Sequence, residues 1–206
     1  MPRNTPKMTV SATIERIGSG LAHRGLLSFR TSVFATLTIV LVDTITDRLV
    51  PPLVLAGVLD EAGHVATAIV MAAAITRGRT GAFIVAVLLA AWAIDIDHVP
   101  GEILGWDGLT AGAPRPYTHS LIILLIAGAW ALWEQRPHRD VAAGLTFGLL
   151  SHFVRDAASG TGLALFWPLT KRPVEIPYPI YVGILAACLL RTWLVTSRPR
   201  DGALAS

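Results

Sequence analysis

Residues 82–98 read AFIVAVLLAAWAIDIDH: thirteen apolar residues run from Ala82 to Ile94, then the chain turns abruptly to Asp95, Ile96, Asp97 and His98. Five more apolar stretches, at about 33–46, 65–76, 121–133, 141–154 and 178–195, repeat the pattern. Most fall short of the ~20 residues that cross a hydrocarbon core, so polar residues begin while the chain is still at membrane depth. Composition agrees. Of 206 residues, 53% are hydrophobic and 15% charged, with a mean hydropathy of +0.58; a soluble domain carries nearer ~25% charge. The sequence predicts an all-α, polytopic integral membrane bundle of about six membrane segments.

The segments between the runs differ in chemistry. Residues 76–81 and 134–140 are short and positive and suit tight helical turns, whereas 97–118 and 157–177 are longer and rich in Gly, Pro and aromatics. Counted by alternate side, eleven Lys and Arg fall on the side of the N-terminus against five on the other, with Arg191 inside the last run. That bias predicts both termini in the cytoplasm, in the bacterial plasma (inner) membrane. Trp130 and Trp133 would then mark the inner interface, and Tyr117, Trp167 and Tyr178 the outer. Four parts follow: a basic cytoplasmic tail at 1–32, an additional N-terminal membrane segment and connection at 33–60, a membrane domain at 61–196, and a C-terminal tail at 197–206. The tail carries an amphipathic stretch from Thr13 to Phe29, expected to lie on the membrane surface. No small-residue cleavage site marks it as a secretory signal. The span at 33–46 is interrupted by Asp43 and Asp47 and followed by Pro51 and Pro52.

Ionisable residues inside or beside spans are costly, and by default they face the bundle interior and serve a function. His64 opens the second span, Asp95, Asp97 and His98 close the third, Arg115 and His119 precede the fourth, and His152 and Asp156 close the fifth. If spans two and three form one hairpin and four and five another, all these groups meet on one side of the membrane. His152 and Asp156, four apart, share a helix face, as do Asp95 and His98, three apart. Cys188 is the only cysteine, so any metal site uses imidazole and carboxylate. That donor set suits zinc first, with manganese or iron next. His64, Asp95, His98, His119, His152 and Asp156 are the candidate ligands for one or two divalent ions, with Asp97 bridging or adjacent. His23 and His138 lie in positive segments and read as solvated. Thr118 is expected to cap a helix, and Arg155 to snorkel to the interface.

At these residues the chain resembles the YdjM-like family of membrane-bound metal-dependent hydrolases. The likeness runs over residues 61–179: Gly63-His64, Asp95-Ile96-Asp97-His98, Arg115 with Thr118-His119-Ser120-Leu121, Ser151-His152 with Asp156, then Gly160, Gly162 and Trp167-Pro168. One departure stands out: Pro114 occupies the position before Arg115 where the family commonly has a His. The resemblance implies metal binding and hydrolysis. The depth of the site suggests a lipid head group or lipid-linked phosphate or ester as substrate. Arg115 would hold an anionic oxygen, Asp97 or Asp156, whichever is not itself coordinated, would take the water's proton, and His119 would act at the reacting centre. Ser120 beside His119 raises a serine nucleophile as an alternative. Membrane lipids are the expected partners, and nucleic acid is not one. A metal-ion or proton transporter and a non-catalytic scaffold are the competing classes.

Overall fold

The structure is a computed structural model and describes residues 10–23, 25–75, 80–110, 113, 115–135 and 138–197. Its helices are α1 (Val10–His23), α2 (Phe29–Leu49), α3 (Leu53–Ile75), α4 (Gly81–Ala93), α5 (Val99–Leu104), α6 (Leu121–Trp133), α7 (His138–Ala158) and α8 (Tyr178–Ser197). A 3-10 turn, Ile94–His98, joins α4 to α5. Among the described residues there is no strand; one isolated bridge pairs Leu163 with Val174. The protein is an all-helical membrane bundle.

Each of the six apolar runs lies in a helix, α2 to α4 and α6 to α8. Among the described residues, four helical stretches are long and apolar enough to cross a membrane: α2, α3, the α4–α5 continuation from Gly81 to Gly101, and α8. The other two depart for separate reasons. Helix α6 is apolar throughout but has 13 residues, about 20 Å at 1.5 Å per residue. Helix α7 has the length, but its buried Asp140, His152, Arg155 and Asp156 dilute its hydrophobicity. Large apolar side chains face outward on α2 (Phe34, Leu37, Leu41), α6 (Leu125, Leu132) and α8 (Ile180, Leu190, Trp193), as lipid contact requires.

Small residues set the spacing inside. A Cβ on Gly144 or Gly148 of α7 would run into the carbonyl oxygens of Phe83 or Val87 on α4. The two helices therefore pack almost backbone to backbone, the small-residue device of membrane interfaces. Gly144, Gly148, His152 and Asp156 recur every four residues, so the face of α7 that grips α4 leads directly into the polar cluster. A second core joins α2, α3 and α8 through Ala35, Ile39, Ala66, Val70, Tyr181 and Leu185.

Three expectations change. His64 does not open its helix but lies midway along α3, because α3 begins at Leu53; Asp60 and Glu61 turn inward rather than marking a solvent boundary. The division at 60/61 accordingly falls inside α3. The amphipathic stretch 13–29 is not one surface helix. It breaks after His23, where Gly25 takes φ 77, and Ser28 caps α2 by accepting from Thr31 N at 3.2 Å. Helix α1 docks on the start of α4 instead: Glu15 accepts from Gly81 N at 3.0 Å and Ala82 N at 2.9 Å. Residues 77, 79, 136, 198 and 200, which carry much of the charge bias, lie outside the described residues, as does the His23 side chain.

The Glu15 carboxylate fills the donor vacancy at the N-terminus of α4 and opposes its dipole. Glu15→Gln keeps one acceptor and loses the charge, so it is expected to cost about 1 kcal/mol. The check is the thermal unfolding midpoint in detergent, which should fall by a few degrees.

Candidate metal centre

Four elements deliver the cluster. Helix α3 brings Asp60 and His64 on one face, four residues apart. The 3-10 turn after α4 brings Asp95, Asp97 and His98; at three residues per turn Asp95 and His98 eclipse, with 3.5 Å between Asp95 Oδ1 and His98 Nε2. The segment before α6 brings Arg115 and His119. The end of α7 brings His152 and Asp156. His64, His119, His152 and Asp156 are all essentially fully buried. The structure thus draws all six sequence-predicted ligands together, with donor atoms of Asp95, His119, His152 and Asp156 within 4.8 Å of one another.

The two carboxylates at the centre each face two ways. Asp95 Oδ1 lies 3.0 Å from His119 Nε2 and 3.3 Å from His152 Nε2. Asp156 Oδ2 lies 3.1 Å from His152 Nε2 and 3.6 Å from His119 Nε2. The opposite oxygens turn to His64: Asp156 Oδ1 at 3.2 Å and Asp95 Oδ2 at 3.7 Å from its Nε2, with Asp60 Oδ1 at 3.6 Å. Two adjoining nests result, sharing Asp95, with Asp156 Oδ1 bordering the second. A third grouping, Asp95, Asp97, His98 and His119, flanks them.

The donor set suits a divalent cation on three counts. First, both ring nitrogens of His64, His98 Nε2, His119 Nδ1 and both oxygens of Asp156 are buried without a hydrogen-bond partner, a costly state unless something charged satisfies them. Second, His119 and His152 bring their Nε2 atoms within 3.2 Å. That separation and the four distances from Asp95 Oδ1 and Asp156 Oδ2 to these two nitrogens, 3.0, 3.3, 3.1 and 3.6 Å, lie around the ~3.3 Å edge of a tetrahedron whose corners are about 2.0–2.1 Å from its centre, the zinc–ligand distance. Third, His152 Nδ1 lies 2.9 Å from the carbonyl of Ala91. A carbonyl only accepts, so Nδ1 carries a proton, and in the neutral ring Nε2 presents its lone pair toward the nest, the usual support of a ligating histidine. The glycine-tight packing of α7 on α4 puts that carbonyl in reach.

Arg115 Nη2 stands 3.0 Å from Asp156 Oδ1. Asp97 is placed by Thr118, whose hydroxyl donates to Asp97 Oδ2, and the same oxygen is 3.4 Å from His119 Nδ1. Thr118 is therefore a partner of Asp97 rather than a cap; Ser120 occupies the cap position of α6 without a side-chain cap bond. Burial works against a proton on His119, but Asp95 and Asp97 outweigh it and raise its pKa above the ordinary histidine value. Proton and cation thus compete for this ring.

Beside the nests lies a cavity of about 790 Å³. Leu53, Val54, Val58, Trp92 and Ile103 give it apolar walls, and Asp60, Glu61, Asp95, His98, Arg115 and Arg155 a polar end. Sequence reasoning missed Asp60, whose spacing from His64 mirrors that of Asp156 from His152 and was a usable signal. It also misplaced Arg155, which is 2% exposed and does not snorkel; its Nη2 lies 2.8 Å from Asp43 Oδ1. His138 is exposed near Glu134, as expected of a solvated residue. Pro114 lies outside the described residues.

The chain is 32% identical over 68 residues to the uncharacterized protein YvsG of Bacillus subtilis (strain 168), a match over 33% of this chain and only 40% of that relative's length. No solved structure matches. The sequence model of the YdjM inner membrane protein family matches residues 59–205, which takes in every residue of both nests. The chain therefore belongs to the YdjM inner membrane protein family.

Proposed function

We propose that the protein is a membrane-embedded metal-dependent hydrolase acting on a lipid head group or a lipid-linked phosphate or ester. The observation that carries this reading is the nest of four donor atoms, five of whose separations are 3.0–3.6 Å, beside a cavity with apolar walls and a polar end that includes Arg115. Asp95, His119, His152 and Asp156 would hold one ion, zinc before manganese or iron. His64 and Asp60 would hold a second with the remaining oxygens of Asp95 and Asp156. When bound, such a cation supplies Lewis acidity and makes water nucleophilic near neutral pH.

The chain's own residues do the rest. Arg115, whose Nε is buried without a partner, donates to an anionic oxygen of the substrate. Asp97 keeps Oδ1 free of hydrogen bonds and accepts the water proton. The apolar walls take the lipid chain. In this reading both termini are cytoplasmic, following the Lys and Arg bias.

The test is release of head group or phosphate from a panel of phospholipids and polyprenyl phosphates by the purified chain loaded with zinc. Activity should vanish with a chelator. Arg115→Lys should keep its metal and lose turnover about tenfold or more, because Lys retains the charge without the planar paired contact. Ser120→Ala should keep near-normal turnover; its complete loss with metal still bound would indicate a serine nucleophile. A metal-ion transporter is the second reading, favoured by His64 midway along α3; zinc flux into proteoliposomes without hydrolysis would select it.

A further inference from the structure

Helix α2 precedes the region matched by the family, which starts at residue 59, yet it reaches the centre through Asp43. Asp43 Oδ1 accepts from Arg155 Nη2 at 2.8 Å, and Asp43 Oδ2 accepts from the Tyr178 hydroxyl at 2.6 Å. Arg155 stands between two donors of the nests, three residues after His152 and one before Asp156. Its guanidinium lies against Gly63, so close that a Cβ there would come within 2.6 Å of Nε; Gly63 in turn adjoins His64. Nη2 also lies 3.6 Å from Asp60 Oδ1, the oxygen that stands 3.6 Å from His64 Nε2. One carboxylate oxygen is thus within reach of both a guanidinium and a candidate metal ligand.

We infer that Asp43 is a positioning residue for the metal centre: by holding Arg155 from α2, it keeps the guanidinium from closing on Asp60 and leaves that carboxylate to the nest around His64. The inference rests on the metal-binding reading above. A buried guanidinium does not go without an acceptor. Deprived of Asp43, Arg155 would turn to Asp60 and compete with the cation. Tyr178 contributes by fixing the second oxygen of Asp43, so the carboxylate cannot rotate away.

The experiment measures zinc affinity of the full chain in detergent by competition with a chromophoric chelator, alongside the visible absorption of the cobalt-loaded protein. Asp43→Asn should weaken zinc about tenfold or more, the usual scale for groups that support metal ligands, and should change the cobalt bands. Adding Arg155→Met to Asp43→Asn removes the competing cation and should restore affinity to within about threefold of wild type. Tyr178→Phe keeps both charges and should weaken zinc about two- to threefold, the worth of one hydrogen bond; it carries the test if Asp43→Asn does not fold. Equal affinity in Asp43→Asn and wild type overturns the inference, as does a double variant as weak as the single. A wild-type chain that binds no zinc overturns the metal-binding reading and this inference with it; a wild-type chain that binds zinc while Asp43→Asn binds it equally well overturns this inference alone.

Discussion

Asp156→Asn is expected to lower zinc affinity by about a hundredfold or more, beyond the loss seen when a merely supporting group is removed. The residue is fully buried and serves both nests, Oδ2 toward His119 and His152 and Oδ1 toward His64 and Arg115. Asparagine keeps the shape and removes the charge, so packing against α4 should survive. The metal-free variant should also lose thermal stability, because Arg115 Nη2 loses its carboxylate partner at 3.0 Å and a buried charge without its partner is costly. Metal analysis and thermal unfolding of the same preparation check both parts. Zinc content and affinity unchanged in Asp156→Asn would contradict a ligand role for this residue.

Gly148→Leu is the second large effect, and it acts on the fold. A Cβ at this position meets the Val87 carbonyl and the Ala90 side chain, both on a helix that cannot yield locally. The substitution must push α7 off α4, at a cost of about 3 kcal/mol or more. It also draws His152 away from Ala91, so metal affinity should fall with stability. Gly183→Leu is the control: nothing lies within 4 Å of a Cβ there, and the midpoint should not move. Equal unfolding midpoints for the two variants in detergent would refute the close packing of α4 and α7.

What the sequence revealed, and what it hid, divides along a physical line. The apolar runs were visible because exclusion of charge over a dozen residues is a property of a segment by itself. Convergence of His64, Asp95, His98, His119, His152 and Asp156 followed from alternation of helices alone. The ladder of Gly144, Gly148, His152 and Asp156 was equally open to reading. Asp43 and Arg155 were not, since a polar residue in a span announces its cost but not its partner. Asp43 looked like an interruption of its helix. It answers Arg155, 112 residues away, and Tyr178, 135 residues away. His64 seemed terminal because the apolar run was read from residue 65, whereas α3 begins at Leu53.

The central claim is that imidazole and carboxylate groups from four separate elements hold a divalent cation at one end of the bundle. X-ray absorption at the zinc edge of the zinc-loaded full chain tests it most directly. The account predicts a first shell of nitrogen and oxygen at about 2.0–2.1 Å, with the outer-shell scattering of at least two imidazoles and loss of that pattern in His119→Ala. Sulfur scattering near ~2.3 Å, which only Cys188 among the cysteines could supply, or a pattern unchanged in His119→Ala, would contradict it.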